Sequence, residues 1–159
     1  GGIGLETARE LYQRGATVLL GCRSRERAMD AMKDIDPFYL SSVVEQPSSN
    51  GKPLSFNDGG KRIHFIPLDL ASQQSVKKAV ETFLEMKLPL HVLINNAGVM
   101  RRTREETMDG FEMTMAANHL GHFLLTNLLL PTLRETAVRT GSPSRVLTVT
   151  SSLYCTAQR

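Results

Sequence analysis

The 159-residue chain has little of what marks a secreted or membrane-spanning protein. Its two cysteines, Cys22 and Cys155, are too few for a disulfide framework, as expected of a reducing compartment or of a fold that needs no bridges. No apolar run approaches the roughly 20 residues of a membrane span, and no signal peptide is visible. That second absence excludes little, because the chain opens at Gly1 without an initiator methionine and reads as cut. Strong charge of one sign is also missing. The net charge is +3 and the charges are dispersed, so composition gives no case for nucleic-acid binding. The one local basic cluster, Arg101-Arg102-Thr103-Arg104, fits a solvated loop. There are no internal repeats. What remains is a composition of 41% hydrophobic and 22% charged residues, that of one soluble globular domain.

The most informative stretch lies near the middle. Val92-Leu93-Ile94 reads as a buried parallel strand. It runs into Asn95-Asn96-Ala97-Gly98, a breaker cluster of two amides and two small residues. The carboxyl end of a core strand meeting such a cluster is where an open α/β sheet receives a ligand. Taken alone, a plain strand and turn would serve as well, so the rest of the chain decides.

Gly1-Gly2-Ile3-Gly4 opens a helix with Ala8, Leu11 and Tyr12 near one face, and Gly15 is a helix-stop signal. A strand over 17–22 follows. Glycines opening a helix that precedes a strand form the second half of a dinucleotide-binding turn, in which the helix N-terminus holds a pyrophosphate. The strand ends Gly21-Cys22-Arg23, with no acid to bond ribose hydroxyls. Arg23 is therefore a candidate for a 2′-phosphate; an arginine on an exposed helix start is the other reading. A helix over 25–33 turns Ala28, Met29 and Met32 inward. Residues 36–60 are rich in turn formers and read as a long inserted loop. A strand over 62–68 ends at Asp69-Leu70. Ser72 is a good helix cap, and Val76, Ala79, Val80, Phe83 and Leu84 follow an amphipathic helical rhythm that Pro89 stops. Asp69 is either a ligand contact or a helix-start carboxylate. One long helix is expected over 109–130, continuing past Pro131 to about Val138. Its apolar surface includes Phe111, Met115, Leu120, Phe123, Leu124, Leu128 and Leu129, much of it buried. Asn118 lies inside it as an oddity that needs hydrogen-bond partners. The last strand, 145–150, runs into Ser151-Ser152.

Regular alternation predicts an α/β fold, a doubly wound parallel sheet with helices on both faces. Arg23, Asp69, Asn95 to Gly98 and Ser151-Ser152 then stand at the carboxyl ends of four strands, on one edge.

Gly2-Ile3-Gly4, Asn95-Asn96-Ala97-Gly98, Asn118 within a long helix and a strand ending in Ser151-Ser152 resemble, in order and spacing, the short-chain dehydrogenase/reductase family. Asn118-His119-Leu120-Gly121-His122-Phe123 and Gly21-Cys22-Arg23 resemble its branch of retinol dehydrogenases and WW-domain-containing oxidoreductases. The resemblance spans the chain except the insertion and implies a partial NAD(P)-binding Rossmann domain over 1–159, with the insertion at about 36–60. It implies that Gly2 and Gly4 line the pyrophosphate with Ile3 in the same turn. Arg23 faces the 2′-phosphate, so NADP is favoured over NAD. Asp69 and Leu70 sit at the adenine. Asn95, Ala97 and Gly98 border the adenosine ribose, and the same motif stabilises the central strand. Asn118 belongs to the catalytic set and bonds a water through its main chain. Ser152 is the serine that holds the substrate oxygen, with Ser151 the neighbouring register.

Two family features have no counterpart here: an innermost strand with its glycine ahead of Gly2, and the Tyr-x-x-x-Lys acid/base. Tyr154 follows Ser152 too closely, and its fourth following residue is Gln158. The expectation is a hydride-transferring, NADP-dependent parent acting on a lipophilic carbonyl or alcohol such as a retinoid or steroid, and an inactive 159-residue piece. The parent is expected in the cytoplasm, or at the endoplasmic reticulum membrane if an anchor lies upstream, and as a possible homodimer through the long helix. The rival from another class is a non-catalytic dinucleotide-binding or regulatory protein on the same scaffold. Sequence past Arg159 separates them. A polyanion-binding module rests only on mild basicity. No metal site is expected: His119 and His122 have helical ligand spacing but no evident third ligand. No nucleophile elbow surrounds Ser152, which argues against a hydrolase.

Overall fold

The computed structural model describes residues 2–37 and 62–151. The expected insertion at about 36–60 therefore lies, beyond Pro37, outside the described residues, as do Ser152, Tyr154 and Cys155. The chain forms two compact units. The first holds Gly1–Asp69 and Gln74–Leu88; the second holds Leu70–Gln73 and Pro89–Arg159.

In the first unit, α1 (Ile3–Gln13) leads to β1 (Val18–Cys22), α2 (Arg25–Ile35), β2 (Ile63–Pro67) and α3 (Gln73–Glu85), the last but for its first residue. The sequence dictates each boundary. Gly15 N–H donates to the Tyr12 carbonyl and Ala16 N–H to the Leu11 carbonyl, the paired bonds of a Schellman stop. The Arg62 guanidinium donates to the Tyr12 and Ala16 carbonyls at 2.9 and 3.1 Å, which closes the same end. Ser24 caps α2, accepting from the Arg27 N–H. β1 and β2 are parallel, Val18 opposite Ile63 and Cys22 opposite Pro67. Ala8, Val18, Met32, Ile35 and Ile63 form the core between the helices and this sheet. Arg9 bridges Glu6 and Asp34, tying α1 to α2. The helix expected to run until Pro89 stops at Glu85, where Lys87 takes a left-handed φ of 53°.

In the second unit, β3 (Val92–Asn95) pairs in parallel with β4 (Arg145–Thr148), Val92 opposite Arg145 and Asn95 opposite Thr148. Between them run α4 (Met113–Met115), a π-helical turn (Ala116–Leu120) and α5 (Gly121–Thr140). Pro131 sits inside α5, and Gly141 caps it in the left-handed region. Three expectations are corrected here. The long helix starts at Met113, not Asp109: Gly110 turns the chain at φ 79°, and Glu106 pairs with Glu112 in an isolated bridge. Its apolar surface is only half used. Leu125, Leu129 and Leu133 are buried, whereas Met115, Leu128 and Phe123 (62% exposed) are not. A 3.6-residue pattern marks an apolar face but not whether its cover is in the same chain. Finally, β3 is less buried than its apolar run suggests. Val92 is exposed and Asn95 is its one buried residue.

The described strands thus form two two-stranded parallel sheets rather than one. With their helices these parallel pairs make an α/β arrangement of the Rossmann kind, incomplete among the described residues.

The start of the long helix is expected to depend on pH. Glu112 accepts from the N–H groups of Thr114 and Met115 at 2.8 and 2.7 Å. These two bonds hold its carboxyl below the ordinary value of 4.5. A lowered folded-state value stabilises fully above the ordinary carboxylate value and is lost as pH falls through the folded one. An NMR acid titration is expected to show the Met113–Met115 turn fraying with protonation of Glu112, and Glu112→Gln to abolish that step.

Candidate functional site

Each unit presents its own set of the predicted residues. In the first, Gly2 caps α1 with φ 70° and ψ −156°, a conformation that side chains other than glycine rarely adopt. Its carbonyl accepts from the N–H groups of Leu5 and Glu6. Open space lies where a Cβ on Gly2 would stand, so the requirement is conformational rather than steric. Gly2, Ile3 and Gly4 thus form an uncrowded helix start whose Ile3 and Gly4 N–H groups meet no acceptor among the described residues, suited to an anion. Glu6, the acidic residue of that turn, is paired to Arg9. Arg23 directly follows β1, exposed and with no ion pair among the described residues. Asp69 lies beyond the end of the parallel neighbour β2, half-buried, and its N–H donates to Ser75 Oγ at 2.9 Å. The donor set and the open space at Gly2 fit a phosphate-bearing nucleotide.

In the second unit, Asn95 is 5% exposed and its Nδ2 donates to Thr126 Oγ1 on α5 at 3.0 Å. The side chain fastens β3 to the helix beneath it. Among the described residues no donor reaches its Oδ1. Ala97 and Gly98 are exposed in the turn that follows. The next residue, Val99, meets Asn118 twice: Val99 N–H donates to Asn118 Oδ1, and Asn118 Nδ2 donates to the Val99 carbonyl, both at 2.8 Å. One carboxamide thus satisfies both backbone groups of Val99, donor and acceptor, and pins the turn after β3 to the π-turn. The partners that Asn118 was expected to need exist, but the residue is exposed rather than buried. Its own carbonyl lies 3.1 Å from His122 Nδ1. Burial pushes His122 below its ordinary value, opposed by the Asn118 carbonyl and reinforced by His119. Ser151 follows β4, and Ser152 lies outside the described residues.

Leu70 belongs to a different feature of this unit. A cavity of about 200 Å³ is lined by Leu70, Phe111, Leu120 and Phe123 among others. At its wall Gly121 packs directly on the backbone of Leu70, leaving no room for a Cβ. Nearby, Asp109 Oδ2 accepts from the Gln73 N–H at 2.8 Å. Sequence reasoning missed Gly121, Thr126 and this use of Asp109. Only the Asp109 carboxylate had a legible signal, and it caps a helix start more than thirty residues earlier in the chain. Among the described residues no three His, Cys, Asp or Glu side chains gather as a metal site, and no helix is long and apolar enough to cross a membrane.

Comparison with known proteins gives the family. The short chain dehydrogenase family model matches residues 38–155. The chain is 42% identical over 153 residues to polyprenol dehydrogenase from Mus musculus, covering 96% of this chain and 40% of that protein. It is 42% identical over 150 residues to retinol dehydrogenase 11 from Homo sapiens, covering 94% of this chain and 40% of that protein. Among solved structures, the RhlG/NADP active-site complex of Pseudomonas aeruginosa matches with a TM-score of 0.66 and 25% identity, over 94% of this chain and 50% of that one. The chain belongs to the short-chain dehydrogenase family. It spans about 40% of the length of these curated relatives.

Proposed function

We propose that the whole protein is an NADP(H)-dependent oxidoreductase that interconverts a lipophilic alcohol and its carbonyl compound. The observation that carries this reading is the two-point bond between Asn118 and Val99. It couples the turn after β3, with its exposed Ala97 and Gly98, to the helix residue that the family uses near the reacting atoms. The cofactor, when bound, supplies or accepts the hydride. The chain's own residues hold it: Gly2, Ile3 and Gly4 at the pyrophosphate, Arg23 at the 2′-phosphate, Asp69 and Leu70 at the adenine, Asn95, Ala97 and Gly98 at the adenosine ribose. Ser152 holds the substrate oxygen, and the Asn118 main chain holds a water. The names of the relatives, a retinol and a polyprenol dehydrogenase, support a long-chain or retinoid alcohol as substrate. Residues 1–159 contain no Tyr-x-x-x-Lys, so this stretch by itself binds without turning over. A homodimer through the exposed face of α5, and a location in the cytoplasm or at the endoplasmic reticulum membrane, complete the reading.

The cofactor preference is tested by fluorescence titration of the full-length protein with NADPH and NADH. Losing one charge-assisted phosphate contact costs about 1.5–3 kcal/mol, so Arg23→Asp is expected to weaken NADPH binding by about tenfold to a hundredfold and to keep or strengthen NADH binding, since an acid there can bond the ribose hydroxyls. Equal NADPH affinity in both proteins would remove Arg23 from the site.

A further inference from the structure

We propose that His122 is a positioning residue: its imidazole N–H holds the carbonyl of Asn118 in one direction, so that the carbonyl can bind a water on its free side. The inference rests on the function proposed above and adds to it a residue that the sequence offered only as half of a metal pair.

The geometry starts from the helix. Between Ala116 and Leu120 the chain is π-helical, and the Gly121 N–H reaches back five residues to the Ala116 carbonyl. Such a widened turn disturbs the regular ladder of backbone bonds, and π-turns recur at functional sites for that reason. Asn118 lies in its middle. Its side chain is fully committed to Val99, with donor and acceptor both used at 2.8 Å. Its carbonyl is a separate matter, and His122 Nδ1 stands 3.1 Å from it. A carbonyl oxygen only accepts, so Nδ1 carries the proton and donates. The ring is buried, which favours the neutral form and with it a single tautomer. A carbonyl has two lone pairs: the imidazole takes one, and the other is assigned to a water. The side-chain clamp and the ring together hold Asn118 from both of its ends.

The same helix supplies the control. Four residues apart, Asn127 Nδ2 donates to the Phe123 carbonyl at 2.8 Å. An asparagine at the fourth following position can therefore make this bond on this helix, and Asn at position 122 should replace the histidine donor. Phenylalanine keeps the ring and loses the donor.

The test uses the full-length protein with NADPH and retinaldehyde as the probe. His122→Phe is expected to lower kcat by about tenfold or more, the scale of a small misplacement of a reacting group. KM for NADPH should stay unchanged, and His122→Asn should restore most of the rate. A His122→Phe protein as fast as wild type, or a His122→Asn protein as slow as His122→Phe, overturns the inference while leaving the proposed function standing. No turnover by the wild-type protein overturns both. A readout independent of activity and of the variants' folding is the ¹⁵N spectrum of the wild-type imidazole. The protonated nitrogen is expected to be Nδ1, and a ring protonated only at Nε2 overturns the inference.

Discussion

Gly121→Ala is expected to destabilise the protein at the upper end of, or beyond, the roughly 1–3 kcal/mol typical of overpacking. The reason is what the added methyl would strike. A Cβ at position 121 would overlap the main-chain carbonyl of Leu70 and its Cβ. Neither is the far end of a flexible side chain. Relief requires α5 to move off residues 70–73, where Asp109 also caps the start of α3. Gly121→Val should be worse still, because a branched side chain adds bulk at the same point. The contrast is Gly98. A Cβ there would meet only Asn118 Oδ1, at an ordinary 3.8 Å, and Gly98 has no positive φ. Gly98→Ala should therefore change stability by no more than about 0.5 kcal/mol. Urea unfolding of the two variants side by side checks the pair: a large drop in midpoint for position 121 and almost none for position 98.

The second large effect is expected at Asn118. Asn118→Ala removes both bonds to Val99 and frees the turn after β3, at a cost of about 1 kcal/mol per net hydrogen bond. Asn118→Asp is the sharper probe. An aspartate can still accept from the Val99 N–H, but it places an acceptor where Nδ2 now donates to the Val99 carbonyl at 2.8 Å. At neutral pH this sets a carboxylate oxygen against a carbonyl oxygen. The aspartate variant is thus expected to be no more stable than the alanine variant at pH 7 and to recover below the carboxyl pKa, where its O–H can donate. Thermal unfolding of both variants across that range reads the difference. In the full-length protein either change should lower turnover by about a hundredfold, as expected when a positioned group shifts by an ångström. An aspartate variant as stable as wild type at pH 7 would mean that the bond from Nδ2 to the Val99 carbonyl contributes nothing to stability.

How far these features were legible beforehand follows from which interactions are local. The order of elements was readable because periodicity and stop signals are local. Gly15 ends α1 and Ser24 starts α2, as glycine and serine do through bonds to their own neighbours. Asp109 shows where local reading fails. Its carboxylate does cap a helix, but the helix is α3, reached through the fold, while the long helix is capped by Glu112, a residue type seldom favoured there. Alternation predicted parallel pairing, and both described pairs are parallel; which strands neighbour which is not a local property and could not be read from it. For the site, residue types and their order were legible at Asn95, Gly98 and Asn118. The π-turn was not, since it depends on bond register within a helix whose sequence reads as ordinary. The contact of Gly121 with Leu70 was equally hidden: a glycine in a helix says nothing of which backbone approaches it. The role of His122 needed the same geometry, because only the position of the Asn118 carbonyl distinguishes a donor from a metal ligand.

The central claim, that the whole protein moves a hydride between NADP and an alcohol or carbonyl carbon, is tested most directly with isotope. Full-length protein would be given retinaldehyde and NADPH deuterated at nicotinamide C4 on the transferred side, and the alcohol product analysed by mass spectrometry. The account predicts retinol carrying one deuterium on the former carbonyl carbon. Retinol without the label, or no retinol at all from a folded full-length protein with each C4 face labelled in turn, would contradict it.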